Sequence, residues 1–344
     1  MHIPDGYLGP ETLAVGWAVS VPVWYIAGRK VRKMLTKPKA VPVLAASAAF
    51  SFLVMMLNVP VLGGTTAHAV GATLIAVIAG PWVAVLAVTA ALAVQALLFG
   101  DGGLLSFGIN CMNMAIIMPF AGYAIYQLIA GNSDLRSGRR LVGAGVGSYF
   151  AIVLAAFVVG VELGLQPLLH TVNGVAQYNP YHLSTTIPAM TLSHMLVAGP
   201  VEAAFTVGVF AFLVRTSPEL FTAKLGVSAP MRSLYGVIAV LVIAAPLGLL
   251  ATGTAFGEWG GSELVQRIGY LPRGLARLGD LWAGVLPDYG QSNASGAFGV
   301  VMYVVSALVG IALLTGIAWL VVRLYRRRSG SKAGGSEEER AKTA

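Results

Sequence analysis

The first two residues, Met1 and His2, place three nitrogen donors side by side at the start of the chain. The Met1 α-amine and the His2 backbone nitrogen would close a five-membered chelate ring around a metal ion. The same backbone nitrogen and Nδ1 of the His2 imidazole would close a six-membered ring. Three coplanar nitrogens suit Ni(II) or Cu(II), with Co(II) as a further candidate, and one more imidazole would complete the plane. The alternative is a disordered N-terminus with an incidental histidine.

Two features of the first residues indicate that they stay in the mature protein. Removal of an initiator Met generally requires a small second residue, so His2 is expected to leave Met1 in place. Residues 1–10 carry no Lys or Arg, whereas a secretory signal peptide begins with a basic region.

The composition is that of a membrane protein. The chain is 57% hydrophobic and only 10% charged, whereas soluble domains carry about 25% charged residues. Apolar runs long enough to cross a bilayer as helices recur along the sequence, so we expect an all-α polytopic membrane protein. In a membrane protein the positions of the basic residues in the loops indicate the orientation of the spans. The net charge of +8 is therefore not taken as a sign of a nucleic-acid partner. The predicted spans are 11–28, 41–60, 67–80, 82–99, 104–130, 141–163, 190–214, 232–250 and 299–322.

The distribution of basic residues orients these nine spans. With the N-terminus outside and the C-terminus inside, 19 of the 22 Lys and Arg residues fall in inner loops or the tail. This agrees with the excess of positive charge found in cytoplasmic loops. The arrangement also places His68, at the outer end of the third span, on the same side of the membrane as Met1 and His2. His68 can therefore supply the fourth nitrogen, although an interfacial histidine bonded to a backbone carbonyl is the alternative.

Four more polar residues lie within predicted spans. Asn110 and Asn113, at spacing i, i+3, share a helix face; they either orient the metal-binding segment or bond helices together. His194 and Glu202, eight residues apart on one helix face, are functional candidates because an unpaired ionisable group is costly inside a membrane. They form either a structural or coupling pair, which we favour, or part of an ion path.

The chain divides into two domains and a tail. Residues 1–220 hold seven spans, and residues 230–322 hold two plainer spans around an outer segment, 251–298. The tail, 323–344, is rich in small and polar residues, so we expect it to be disordered on the cytoplasmic side. No GxxxxGK[ST] motif for ATP binding and no HExxH motif occurs.

Four stretches occur together in this chain: MHIPDGYL at 1–8, AH at 67–68, FGxNxxNMA at 107–115 and HxxxxxxxExxxT at 194–206. In this combination the chain resembles the CbiM/NikM family, the substrate-binding membrane components of energy-coupling-factor transporters for cobalt and nickel. Residues 230–322 are similar to the two-span CbiN/NikN accessory subunit, here fused to the C-terminus. The PDGLE-like element of that subunit is only partly present, at Leu286–Gly290.

The resemblance implies a function and a set of partners. The chain would be a seven-helix S-component with a fused accessory domain, and not an enzyme. It would sit in the cell membrane and hold Co²⁺ or Ni²⁺ as transported substrate on Met1, His2 and His68, without a prosthetic group. A CbiQ/NikQ-like transmembrane coupling subunit and a CbiO/NikO-like ATPase would drive release inside, with membrane lipid as the other contact. An ion-coupled carrier or channel working without an ATPase, and a metal-sensing membrane protein, are the alternatives.

Overall fold

The computed structural model describes residues 1–37, 40–222, 231–291 and 296–342, with side chains as far as residue 326. The described chain is mostly helical and contains two antiparallel hairpins. The α-helices are α1 (Pro10–Lys30), α2 (Arg32–Leu35), α3 (Ala40–Met56), α4 (Ala72–Ala79), α5 (Pro81–Val94), α6 (Phe107–Asn110), α7 (Met118–Ala130), α8 (Gly138–Gly164), α9 (Gln166–Leu169), α10 (Leu183–Ser193), α11 (Gly199–Thr216), α12 (Glu219–Thr222), α13 (Arg232–Ala244), α14 (Gly261–Ile268), α15 (Arg273–Leu278) and α16 (Gly296–Lys342). The strands are β1 (Asn58–Val61), β2 (Thr65–His68), β3 (Thr171–Val172) and β4 (Val175–Ala176).

Stretches of π-helix interrupt or extend these helices at Gln95–Phe99, Cys111–Ile117 and His194–Ala198. A π-helix has more residues per turn than an α-helix, so it rotates the side chains that follow it. One short segment, Ala245–Leu250, is 3₁₀-helix, and Pro287–Gly290 is a tight turn with left-handed backbone at Asp288 and Tyr289.

Six helical segments of the described chain are long and apolar enough to cross a membrane, which makes this a multi-pass membrane protein. They are Pro81–Phe99, Phe107–Ala130, Gly138–Leu169, Leu183–Thr216, Arg232–Leu250 and Gly296–Arg326. Two further helices, α1 and the shorter apolar α3 of 17 residues, occupy the first two predicted spans. At 1.5 Å per residue, the 21 residues of α1 extend about 31 Å, close to the thickness of a hydrocarbon core.

The third predicted span, 67–80, is not a membrane-spanning helix. Its first residues belong to β2, which pairs with β1 through a Gly63-Gly64 turn with positive φ at both glycines. The helical part, α4, has 8 residues and is only about 12 Å long. The segment nevertheless runs through the bundle: it starts at His68, beside Met1, and ends at Ala79, which packs with Val322 at the opposite end.

The last helix, α16, runs from Gly296 to Lys342. It includes the ninth predicted span, 299–322, and its part up to Arg326 is long and apolar enough to cross a membrane.

The helices at the centre of the first domain pack closely against one another. Helix α8 packs against α7, α10 and α11, while α6 packs against α1. The α1–α6 contact depends on a glycine, since a Cβ at Gly16 would lie 2.5 Å from the backbone nitrogen of Ile109. This contact sets the position of Asn110, the last residue of α6.

Residues 251–291 of the second domain lie over the start of the chain. The Tyr7 hydroxyl donates to the backbone oxygen of Trp259 at 2.8 Å. Gly6, at φ +89°, is in close contact with Gly274, which leaves no room for a side chain at either glycine. The second domain also packs on the first through α13 and α16, which contact α3. Both domains therefore enclose the N-terminal residues.

Candidate metal centre

Residues 1–9 form a thread that runs inside the bundle, with only Pro4 half-buried and the rest buried. Asn110 binds Ile3 at two points: the Ile3 N–H donates to Oδ1 at 2.9 Å, and Nδ2 donates to the Ile3 carbonyl at 3.1 Å. The buried Asp5 carboxylate accepts three backbone N–H groups from residues 104–106, at 2.9–3.0 Å. Such donors are what a buried carboxylate requires. These bonds fix the position of the chain start.

Three nitrogens from distant parts of the sequence converge at the end of the thread. Nε2 of His68 lies 3.2 Å from the Met1 amine and 3.2 Å from Nδ1 of His2. Nδ1 of His68 lies 3.0 Å from the Ala69 carbonyl oxygen. Because a carbonyl can only accept, this contact assigns the proton to Nδ1 and leaves the lone pair of Nε2 directed at the other two nitrogens.

The electrostatics of this cluster keep both imidazoles neutral. Burial, reinforced by the charge of the Met1 amine, lowers the pKa of His2 and of His68 well below the ordinary histidine value. A neutral imidazole has a free lone pair, which is the form that binds a metal ion. Among the described residues, no group of three His, Cys, Asp or Glu side chains is placed to hold a metal, so a metal here would need main-chain nitrogens as well.

Two carboxylates flank the nitrogens. Oε1 of Glu258 lies 3.3 Å from the Met1 amine, and Oδ1 of Asp101 lies 3.1 Å from Nδ1 of His2. Burial raises the pKa of Glu258 to about 7, and the positive amine opposes that shift. Asp101 is held in turn by the Tyr289 hydroxyl, which donates to its Oδ2.

Glu202 holds the loop that carries His68. Its buried carboxylate accepts the N–H of Val70 at 2.6 Å and the N–H of Gly71 at 3.0 Å. Both donors lie at the N-terminus of α4, where the helix dipole also favours a negative charge. Glu202 therefore acts on the position of His68 from α11, through two backbone bonds.

Among the described residues, the hydrogen-bond partners of His194 and Asn113 are neither Glu202 nor residues of the thread. Nδ1 of His194 bonds the Met190 carbonyl at 2.7 Å, while the ring borders a small cavity that Met1 and Glu258 also line. Asn113 donates to Glu162 at 2.7 Å, one turn before Gln166, which holds the thread at Gly9. His194 and Glu202 thus serve different partners, and Asn113 reaches the thread only through α8.

Sequence reasoning missed three residues of this centre: Asp101, Glu258 and Tyr289. Asp101 follows the Gln95–Phe99 π-helix, and Gln95 also bonds the Tyr289 hydroxyl at 2.9 Å. Tyr289 belongs to the partial PDGLE-like element and has φ of +58°, next to Asp288 at +49°. That element was visible in the sequence, but its contact with Asp101 was not.

The membrane-crossing helices and the buried polar centre between them place the chain in the class of multi-pass membrane proteins. Comparison with known proteins narrows the class. Residues 2–220 match the family described as cobalt uptake substrate-specific transmembrane region, CbiM, and residues 231–327 match the PDGLE domain. The chain belongs to the CbiM family and carries a fused PDGLE domain, which confirms the resemblance seen in the sequence.

The relatives are metal transport proteins. The fused nickel transport protein NikMN of Rhodobacter capsulatus is 43% identical over 96% of this chain and 100% of its own length. The probable fused nickel transport protein LarMN of Lactiplantibacillus plantarum is 43% identical over 91% of this chain and 96% of its own. The crystal structure of a truncated transition metal transporter matches at 50% identity with a TM-score of 0.58, covering 63% of this chain and 99% of that one. The chain thus belongs to a family of metal transport components, whose members are not enzymes.

Proposed function

We propose that this chain captures Ni²⁺ at the outer face of the cell membrane, with Co²⁺ as a second substrate, for an ATP-driven importer of the energy-coupling-factor type. The observation that supports this most is the position of His68 Nε2, 3.2 Å from both the Met1 amine and His2 Nδ1. The metal ion is the cargo of the protein, bound from outside and released inside.

The distances suit a square plane of nitrogens. With metal–nitrogen bonds of about 2.0 Å, adjacent donors in a square plane lie about 2.8 Å apart. The Met1 amine, the His2 backbone nitrogen and His2 Nδ1 are three consecutive corners, because each neighbouring pair closes a chelate ring. Binding releases two protons, one from the Met1 ammonium and the amide proton of His2, because a nitrogen must have a free lone pair to hold the metal. The fourth corner adjoins the amine and Nδ1, the two atoms that His68 Nε2 approaches. A small contraction of the cluster would complete the plane.

The donor set favours nickel over cobalt. Four nitrogens in a plane are the preferred arrangement of Ni(II) and Cu(II), and nickel lies above cobalt in the general order of affinities. The relatives that match more than nine-tenths of this chain are named as nickel transport proteins. We therefore assign nickel as the principal substrate.

The other predicted residues have supporting roles in this proposal. Asn110 holds the thread, Glu202 holds the His68 loop, and His194 borders the cavity next to Met1. Asn113 acts through Glu162. Residues 1–220 form the capture domain, and residues 230–322 form the accessory domain that covers it.

The distribution of charge supports the orientation, and the resemblance to the CbiM/NikM family supports the partners. With nine passes, an outer N-terminus and an inner C-terminus, the basic loops face the cytoplasm. There they would contact anionic lipid, a CbiQ/NikQ-like coupling subunit and a CbiO/NikO-like ATPase. The thread is buried by both domains, so release inward requires the bundle to rearrange, for which ATP hydrolysis in the partner supplies the free energy.

Uptake of labelled nickel tests this function. Cells that express the chain with both partner subunits should accumulate nickel, and unlabelled nickel should compete better than unlabelled cobalt. Cells that express the chain alone, or with an ATPase whose nucleotide-binding lysine is replaced, should not. Accumulation of nickel in cells that express the chain alone would indicate a carrier or channel. Nickel binding without accumulation in cells that express the chain and both partner subunits would indicate a sensor.

A further inference from the structure

The nitrogen cluster is closed to solvent, so an incoming ion needs a route to it. Met1, His2 and His68 are exposed by only 3%, 4% and 5%. If these residues hold nickel, as proposed above, a hydrated ion must pass a group that contacts both solvent and the nitrogens.

Three of the larger cavities that adjoin the outer segment of the second domain differ in charge. One is lined by His170, Arg273 and Arg277, and a second by Arg267 among mainly apolar residues. The third, of about 900 Å³, is lined by Asp5, Glu258 and Asp280, and the described residues around it include no Lys or Arg. A cavity lined by one sign of charge concentrates ions of the opposite sign, so the third suits a divalent cation.

Glu258 connects this acidic cavity to the nitrogen cluster. Its side chain is 21% exposed, whereas the Met1 side chain beside it is fully buried. Its Oε1 lies 3.3 Å from the Met1 amine. It also lines the small cavity next to His194 on the other side. The backbone on either side is held, since the Glu258 N–H bonds Ala255 and the Trp259 carbonyl accepts the Tyr7 hydroxyl.

We infer that the acidic cavity is the entry vestibule for a hydrated divalent cation and that Glu258 is its transit ligand. The carboxylate takes the place of part of the hydration shell, gives up its contact with the Met1 amine, and passes the ion to the nitrogens. Carboxylate oxygen binds nickel less strongly than four nitrogens do, because hard oxygen donors suit ions such as Mg²⁺ and Ca²⁺ better. The ion therefore moves on instead of remaining at Glu258.

The test is the kinetics of Ni²⁺ binding to the full-length chain in detergent, measured by stopped flow with a coloured chelator. A residue that contacts the ion only while it enters or leaves lowers the same free-energy barrier for association and for dissociation. Glu258→Gln should therefore slow association and dissociation alike, by about tenfold. Kd should stay within about threefold of the original, since only one partly exposed ion pair is lost from the metal-free state. Glu263→Gln is the matched control, because Glu263 lies in the same segment and bonds Thr254 and Arg267; its rates should be unchanged.

Two results would overturn the inference. Unchanged rates in Glu258→Gln would exclude the route, and a Kd weakened more than about tenfold by faster dissociation would make Glu258 a ligand of the bound ion. Neither result bears on the proposed function. That function would fail instead if the original chain did not bind Ni²⁺, or if His68→Ala bound it as well as the original does.

Discussion

A chain extended by Met-Lys-Lys before Met1 is expected to bind nickel at least about 100-fold more weakly than the original, a larger loss than groups around a metal site usually cause. The extension converts the Met1 amine into a peptide nitrogen and removes one corner of the plane. It also needs space where Glu258 now lies, 3.3 Å from that amine. Lysine as the second residue keeps the added methionine in place, and His2 becomes the fifth residue, outside any three-residue chelate. Isothermal titration of the purified chain with Ni²⁺ measures the effect.

A cleavable extension supplies the control for this prediction. If the added residues end in the recognition site of a protease that cuts directly before Met1, cleavage should restore the original affinity in the same sample. The same three residues added at the C-terminus should have no effect. Undiminished affinity in the uncut chain would remove the Met1 amine from the site.

His68→Ala is expected to cause a loss of similar size, at least about 100-fold in Kd. The substitution removes the fourth nitrogen, and the small side chain leaves space that water would fill as a poorer ligand. The bond from Nδ1 to the Ala69 carbonyl is lost as well, so thermal unfolding of the metal-free chain should accompany the titration. His68→Asn, which keeps a polar side chain of shorter reach, should bind nickel as weakly as the alanine variant.

His182→Ala is the matched histidine control. His182 is exposed at the start of α10, three residues after Asn179, whose N–H bonds the Tyr7 carbonyl of the thread. Its removal should leave Kd unchanged. A normal Kd in His68→Ala, or an equal loss in His182→Ala, would contradict the assignment of His68.

The parts of the site that lie close together in sequence could be predicted. Met1 and His2 can form chelate rings by covalent geometry alone, so no tertiary structure was needed to propose them. The charge bias of the loops predicted only that His68 lies on the same side of the membrane as Met1 and His2, and the family resemblance joined the three residues in one site. The structure brings these residues within hydrogen-bonding distance.

Local backbone irregularities explain where the predictions differ from the structure. The third span was wrong as a helix because we gave its apolar content more weight than a hairpin signal, the Gly63-Gly64 pair between Val61-Leu62 and Thr65-Thr66. Asn113 was expected beside Asn110, but the π-helix at Cys111–Ile117 changes the number of residues per turn. Residues three apart then no longer share a face, and Asn113 bonds Glu162 instead.

The contribution of the second domain could not be predicted. Glu258 and Tyr289 lie in an irregular polar segment with no periodicity to orient them. Their contacts with Met1 and Asp101 span more than 180 residues of sequence. Only the folded chain brings them to the candidate metal centre, and Tyr289 has a left-handed backbone conformation, a kind of strain that is common at functional sites.

X-ray absorption and magnetic measurements on the nickel-loaded chain test the central claim most directly. A square plane formed by Met1, His2 and His68 predicts four-coordinate, diamagnetic Ni(II) with only nitrogen donors, two of them imidazoles. The His68→Ala sample, loaded at higher nickel concentration, should retain a single imidazole. Six-coordinate, paramagnetic nickel with mainly oxygen donors in the original chain would contradict the account.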